Sequence, residues 1–229
     1  MNESMKWKPL LAELVGTFAF FVIGAGAICI DAATEVKLGL LGIALAHGLM
    51  LSNMVNVFGP VSGAHFNPAV TLGALVGKKI KAGQALLYVI AQLIGAVLAG
   101  YFLLLIFRDT PAMDKSLGTP MINTDLVNSG TAILIEAALT FFLVITVFAT
   151  GFSNKAPNVP AIGGYGIGLT VTADILMGGP LTGAAMNPAR VFGPALASGQ
   201  WALHWIYWVG PLLGGLLAGL FYSRIFGDD

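Results

Sequence analysis

Two stretches of this sequence nearly repeat each other: Ser62-Gly-Ala-His-Phe-Asn-Pro-Ala-Val-Thr71 and Thr182-Gly-Ala-Ala-Met-Asn-Pro-Ala-Arg-Val191. Both read Ser/Thr-Gly-Ala-x-x-Asn-Pro-Ala, and Asn67 and Asn187 lie 120 residues apart. Asn-Pro is a helix-start signal. The Asn side chain caps the first backbone N–H groups, and Pro at the first helical position gives up an N–H that has no partner there. Each copy is followed by an apolar run of about two or three turns, too short to cross a bilayer that needs about 20 residues. Asn67-Pro68-Ala69 and Asn187-Pro188-Ala189 are therefore each expected to open a half-helix.

The surroundings of the two copies are apolar. Of the 229 residues, 57% are hydrophobic and 10% charged. A soluble domain carries about 25% charge, so lipid is the solvent of this chain, with a mean hydropathy of +0.86. Six apolar stretches fit helical spans, roughly 10–30, 38–58, 83–107, 131–151, 160–179 and 201–226. They are too long and unbroken for barrel strands. The first is not read as a secretory signal: it is long, contains Glu13, and five more follow. Lys+Arg and Asp+Glu are both 11, so there is no basic excess for nucleic acid. The single cysteine, Cys29, excludes an internal disulfide, and His47, His65 and His204 have no metal-ligand spacing. No metal or cofactor is expected.

The matching extends beyond the two motifs. Glu13 opens AELVGTFAFF in the first span and Glu136 opens EAALTFFLV in the fourth; AQLIGAVLAG (91–100) matches GPLLGGLLAG (210–219). The chain thus reads as one domain over 1–229 made of two repeats, 8–107 and 131–226. Each repeat is three spans plus one half-helix, and an odd number of spans turns the second copy upside down. The expected fold is all-α: six transmembrane helices and two re-entrant half-helices in an inverted 3+3 repeat, an arrangement that builds a path at the midplane. Lys6, Lys8, Lys78, Lys79, Lys81, Lys155 and Arg224 fall on one side, Lys37, Arg108 and Lys115 on the other. That bias puts both termini in the cytoplasm and the loop 108–130 outside, in a multi-pass cell (plasma or inner) membrane protein.

Inverted half-helices enter from opposite faces and bring their N-termini together. Each end carries roughly half a positive charge, so two of them raise a barrier to cations and protons. The Asn67 and Asn187 amides hold a passing oxygen as donors, which interrupts proton relay along a water file. Glu13 and Glu136 suit buried carboxylates that accept from loop amides, since irregular backbone at this depth needs partners. Arg190, three residues after Asn187, points into the same path.

At this point the sequence resembles the aquaporin (major intrinsic protein) family, over about residues 8–226. AELVGTF, SGAHFNPAVT, AQLIGA, GAAMNPARVFGPAL and HWIYWVGP carry the resemblance. It implies a passive channel for water, homotetrameric, each subunit with its own pore. It also implies a four-residue filter of His47, Ile175, Ala184 and Arg190. This set resembles the plant tonoplast branch, which implies passage of small neutral solutes, ammonia and urea, with water. The glycerol-conducting branch usually has Asp at Val191 and a basic residue at Ala195, so glycerol is expected to pass poorly. A mercury-sensitive cysteine would sit at Ala184 and is absent. His65 is a packing or pore-lining residue.

His47 is also a candidate pH switch. Asp174 is expected to brace the filter as a bonded or protonated carboxyl, and His204 to be structural within the sixth span. Gly95/Ala99, Gly164/Gly168 and Gly215/Gly219 are expected helix-packing pairs. A membrane enzyme would need a nucleophile–base pair or metal cluster, and a coupled transporter would need intramembrane ion ligands; the sequence offers neither beyond Asp174.

Overall fold

The computed structural model describes residues 7–152 and 163–226. Lys6, Lys155 and positions 160–162 at the start of the fifth expected span lie outside the described residues. Within them every regular element is a helix: α1 Trp7–Ala33, α2 Gly39–Ser62, α3 Pro68–Val76, α4 Ala82–Phe107, α5 Ser129–Val147, α6 Gly163–Thr182, α7 Pro188–Ser198 and α8 Ile206–Ile225. Short 3-10 turns occupy Pro111–Met113 and Ser116–Gly118, and a wide turn at Phe148–Phe152 extends α5.

Five helical stretches are long and apolar enough to cross a membrane: α1, α2, α4, Ser129–Gly151 and α8. The sixth, α6, has 20 residues, about 30 Å at 1.5 Å per residue. Its glycines and Asp174 lower its hydropathy, and the same glycines let it pack backbone to backbone on α2. The last expected span begins late: 201–205 is a turn, and α8 starts at Ile206.

The packing partners come in matched pairs. α1 packs on α2 and α4 as α5 packs on α6 and α8; α3 packs on α8 as α7 packs on α4; α2 meets α6, and α3 meets α7. This is the inverted 3+3 arrangement with two half-helices. Small residues fix the close approaches. A Cβ on Gly95 would lie 2.5 Å from the Leu14 carbonyl of α1, and one on Gly164 would lie 2.7 Å from the Ser52 carbonyl of α2. Gly215 and Gly219 press on the carbonyls of Ala69 and Gly73 in α3. Lipid gives helices no hydrophobic reason to associate, so van der Waals contact at such sites holds them.

The loop 108–130 is folded rather than open. Its 3-10 turns pack on α1 and α7, with Ala112 and Leu117 fully buried. The Asn123 N–H donates to the Leu181 carbonyl at 2.9 Å, tying the loop to the end of α6.

Candidate functional site

The two half-helices start as the Asn-Pro chemistry requires. Asn67 and Asn187 are the N-caps, in extended conformation, with Pro68 and Pro188 in the first turn. Asn67 Oδ1 accepts from the Ala69 N–H at 2.8 Å, and Asn187 Oδ1 accepts from the Ala189 N–H at 3.0 Å. The loops before them carry matched left-handed residues: Gly63, Ala64 and Phe66 in one, Gly183, Ala184 and Met186 in the other. Non-glycine residues there cost about 1–3 kcal/mol each and persist only where the surroundings over-determine them.

A buried carboxylate supplies that constraint in each loop. Glu13 and Glu136 are both 0% exposed. Glu13 accepts from Ser62 Oγ at 2.7 Å, the His65 N–H at 2.9 Å, the Phe66 N–H at 2.7 Å and Gln92 Nε2 at 2.8 Å. Glu136 accepts from Thr182 Oγ1 at 2.7 Å, the Ala185 N–H at 3.0 Å and the Met186 N–H at 2.8 Å.

The tips then lock to each other. Asn67 Nδ2 donates to the Met186 carbonyl at 2.8 Å, and Asn187 Nδ2 donates to the Phe66 carbonyl at 3.0 Å. Each amide thus uses one N–H as a cross-brace and keeps the other. Both asparagines line a narrow cavity of ≈ 30 Å³ between the helices. His47, Ile175, Ala184, Arg190 and His65 line the same cavity, whose remaining walls are largely apolar, with Phe20, Leu51, Leu143 and Val171 among them. Pro68, Ala69, Pro188 and Ala189 are buried behind it.

Two of the lining residues are bonded to each other. Arg190 Nε donates to His47 Nε2 at 3.3 Å. His47 Nδ1 lies 2.9 Å from the Ile43 carbonyl, which only accepts, so Nδ1 carries the hydrogen and Nε2 the lone pair that Arg190 uses. Both ring nitrogens are engaged, and a second proton would set two donors against each other; this geometry does not suit a pH switch. Arg190 is 3% exposed and its Nη1 is buried without a partner, so a guanidinium donor remains for whatever occupies the cavity.

The structure departs from two expectations. Asp174 lines a separate groove between α5 and α6, with Leu134, Ala138 and Phe142, and its buried Oδ2 has no partner. No hydrogen bond joins it to His47, Ala184 or Arg190, and one residue of helix turns it about 100° from Ile175. His204 stands in the turn before α8, accepting from Trp208 Nε1 at 3.1 Å. Cys29 is buried on α1 with Leu103 and Phe107.

Sequence reasoning missed a third matched pair. Tyr88 Oη donates to the Ser62 carbonyl at 2.8 Å and Tyr207 Oη to the Thr182 carbonyl at 2.7 Å. They stand 119 residues apart, the same offset as Gln92 and Pro211, and that spacing was the available signal. Gly24 was also missed: a Cβ there would lie 2.5 Å from His47 Cδ2, so its bareness seats the histidine.

A family model described as Major intrinsic protein matches residues 1–222. The chain belongs to the major intrinsic protein family. As a member it is a membrane channel and not an enzyme. A protein named "Probable aquaporin TIP-type" from Medicago truncatula is 41% identical over 225 residues, 96% of this chain and 87% of that one. "Aquaporin TIP4-4" from Zea mays is 43% identical over 228 residues, 96% and 86% of the two. "Aquaporin-4" from Mus musculus is 38% identical, with 97% and 68% covered. The X-ray structure of the aquaglyceroporin from Plasmodium falciparum superposes with a TM-score of 0.83 at 23% identity, over 96% of this chain and 97% of that one, which speaks to the fold alone.

Proposed function

We propose that this major intrinsic protein is a passive channel for water and for small neutral solutes, ammonia and urea among them, and that it excludes protons and ions. One observation carries the reading: two oppositely directed half-helix N-termini, cross-braced by Asn67 and Asn187, abut inside a narrow cavity. Their partial positive charges oppose cations. Each Asn keeps an amide N–H for a passing oxygen, so a water there is oriented as an acceptor and the proton relay is broken.

His47, Ile175, Ala184 and Arg190 are the selectivity filter in this reading. Arg190 repels cations and donates to the permeant. Ile175 and Ala184 leave an apolar, wide wall that relaxes selection by size. Glu13 and Glu136 are scaffold, and His65 packs beside the first motif while lining the path. The relatives named as TIP-type aquaporins support a channel for water and small solutes. Val191 and Ala195 stand where the glycerol-conducting branch usually has Asp and a basic residue.

The repeats span 8–107 and 131–226 of a single domain, and the molecule works as a homotetramer in the bilayer. The basic bias of the loops supports cytoplasmic termini in a cell (plasma or inner) membrane. Swelling of proteoliposomes tests the reading. Fast water flux of low activation energy is expected without any ion gradient, flat across roughly pH 5–8 and little affected by mercury. Ammonia and urea are expected to pass and glycerol poorly. Flux that requires an ion gradient would overturn it.

A further inference from the structure

A second cavity, ≈ 480 Å³, lies at the end of the molecule where α3 and α8 finish. Lys78, Lys79 and Arg224 line it, and no carboxylate does among the described residues. Ser223, also in the lining, has a buried Oγ without a partner. Phe148 and Tyr222 form an aromatic wall, their rings 5.4 Å apart.

The turn after α3 spends conformational energy to present its lysine. Gly77 has an ordinary φ of −77°, while Lys78 takes the left-handed conformation at φ 58°. A left-handed residue costs roughly 1–2 kcal/mol unless it is glycine, and here the glycine sits one position early. Packing explains Gly77, because a Cβ there would lie 2.6 Å from Phe148 and 2.8 Å from Ser223 Oγ. It does not explain a lysine in the strained position.

Charge supports an anion. The C-termini of α3 and α8 contribute about half a negative charge each. Lys78 and Arg224 alone outweigh them by about one unit, which matches a phosphodiester. The pocket also opens beside exposed Phe221, Ile225 and Phe226, a face suited to acyl chains at the membrane boundary.

We propose that this pocket binds the phosphate of an anionic lipid headgroup, with Lys78 and Arg224 as its cationic ligands and Ser223 Oγ as a donor. Basic pockets between membrane helices recognise headgroups in this way. The site is separate from the pore and does not depend on what the pore conducts.

The test uses the full chain in neutral detergent, titrated with short-chain phosphatidylglycerol while thermal unfolding and lipid retention in native mass spectrometry are followed. Phosphatidylglycerol is expected to raise the melting temperature in a saturable way, and phosphatidylcholine to leave it unchanged. The K78Q/R224Q double variant is expected to bind about thirtyfold more weakly, from two lost surface cations. K37Q, on the opposite face, is expected to bind like the unaltered chain, and K78R/R224K to retain binding, which separates lost charge from lost folding. Equal binding by K78Q/R224Q and the unaltered chain would overturn the proposal. So would an equal melting shift with inorganic phosphate alone, which would assign the pocket to a soluble anion.

Discussion

The two carboxylate sites look like one device used twice, yet their surroundings differ. Around Glu13, Gln92 bridges the carboxylate and Thr71 Oγ1 at 2.8 and 3.0 Å, and His65 Nδ1 reaches the same hydroxyl at 3.1 Å. At the matching positions around Glu136 stand Pro211, Val191 and Ala185, which bring no polar side chain. The first half links its polar side chains to one another. The second half is dry around its carboxylate and instead sends Arg190 into the cavity. A duplicated scaffold thus kept its holding function in both copies and placed its one lumenal cation in a single copy.

The largest expected effect comes from removing the carboxylates, and it should be unequal. E136A leaves the Thr182 hydroxyl and the Ala185 and Met186 N–H groups without an acceptor, at about 1–3 kcal/mol each. Nothing nearby can substitute. That sum rivals the whole stability of a domain, about 5–15 kcal/mol, so E136A is expected not to accumulate as folded protein. In E13A, Gln92 remains and its amide oxygen, now without a partner, can turn toward the Phe66 and His65 N–H groups. E13A should therefore yield folded but less stable channel, read as a lower melting temperature in detergent. Equal losses would show that Gln92 does not cushion the first site.

Next is the cation that breaks the symmetry. R190A should leave water flux within about threefold and raise cation or proton leak by roughly tenfold or more, since a fixed lumenal charge is a main electrostatic barrier. Stability should change little, because a buried donor without a partner disappears with the side chain while His47 Nε2 loses one bond. Leak currents across bilayers holding each variant provide the measurement. An unchanged leak would move the barrier wholly to the half-helix ends.

A smaller change follows from G24A. A Cβ 2.5 Å from His47 Cδ2 must push the ring toward the cavity or away from Arg190. Urea flux should fall several-fold while water flux falls less, since a narrowed constriction acts first on the larger solute. Stopped-flow swelling with both permeants reads the ratio; a proportional fall in both would point to general misfolding instead. Replacing His47 by Phe and Ile175 by His should narrow the range in the same sense.

Much of this was legible in the sequence for definite physical reasons. Asn67-Pro68 and Asn187-Pro188 announce helix starts, and their 120-residue spacing announces a duplication. Glu13 and Glu136 are conspicuous because isolated acids in apolar helices require partners. What stayed hidden depends on contacts across the fold. The reciprocal bonds of each Asn to the other loop's carbonyl need both loops in place. The seat that Gly24 makes for His47 looks, in sequence, like any membrane glycine. For Asp174 the helical phase was legible and turns it off the wall that Ile175 lines, but its place in the groove between α5 and α6, away from any bracing partner, depends on packing across the fold. The start of α8 was placed early because Trp201, Ala202 and Leu203 are apolar enough to extend the run, although their backbone is a turn.

The finest probe of the asymmetry is Q92L, which makes the first site resemble the second. Leucine keeps most of the volume and removes one donor to Glu13 and one to Thr71. Glu13 would then hold Ser62 Oγ and the His65 and Phe66 N–H groups, the same three kinds of donor that Glu136 holds. Losing the two bonds costs about 1–3 kcal/mol net, and no buried N–H is orphaned, because the donor leaves with the side chain. A melting temperature lower by a few degrees and unaltered water flux are expected. In the double variant E13A/Q92L the cushioning amide is also gone, so its loss should exceed the sum of the single losses; simple additivity would mean that the two residues stabilise the loop independently.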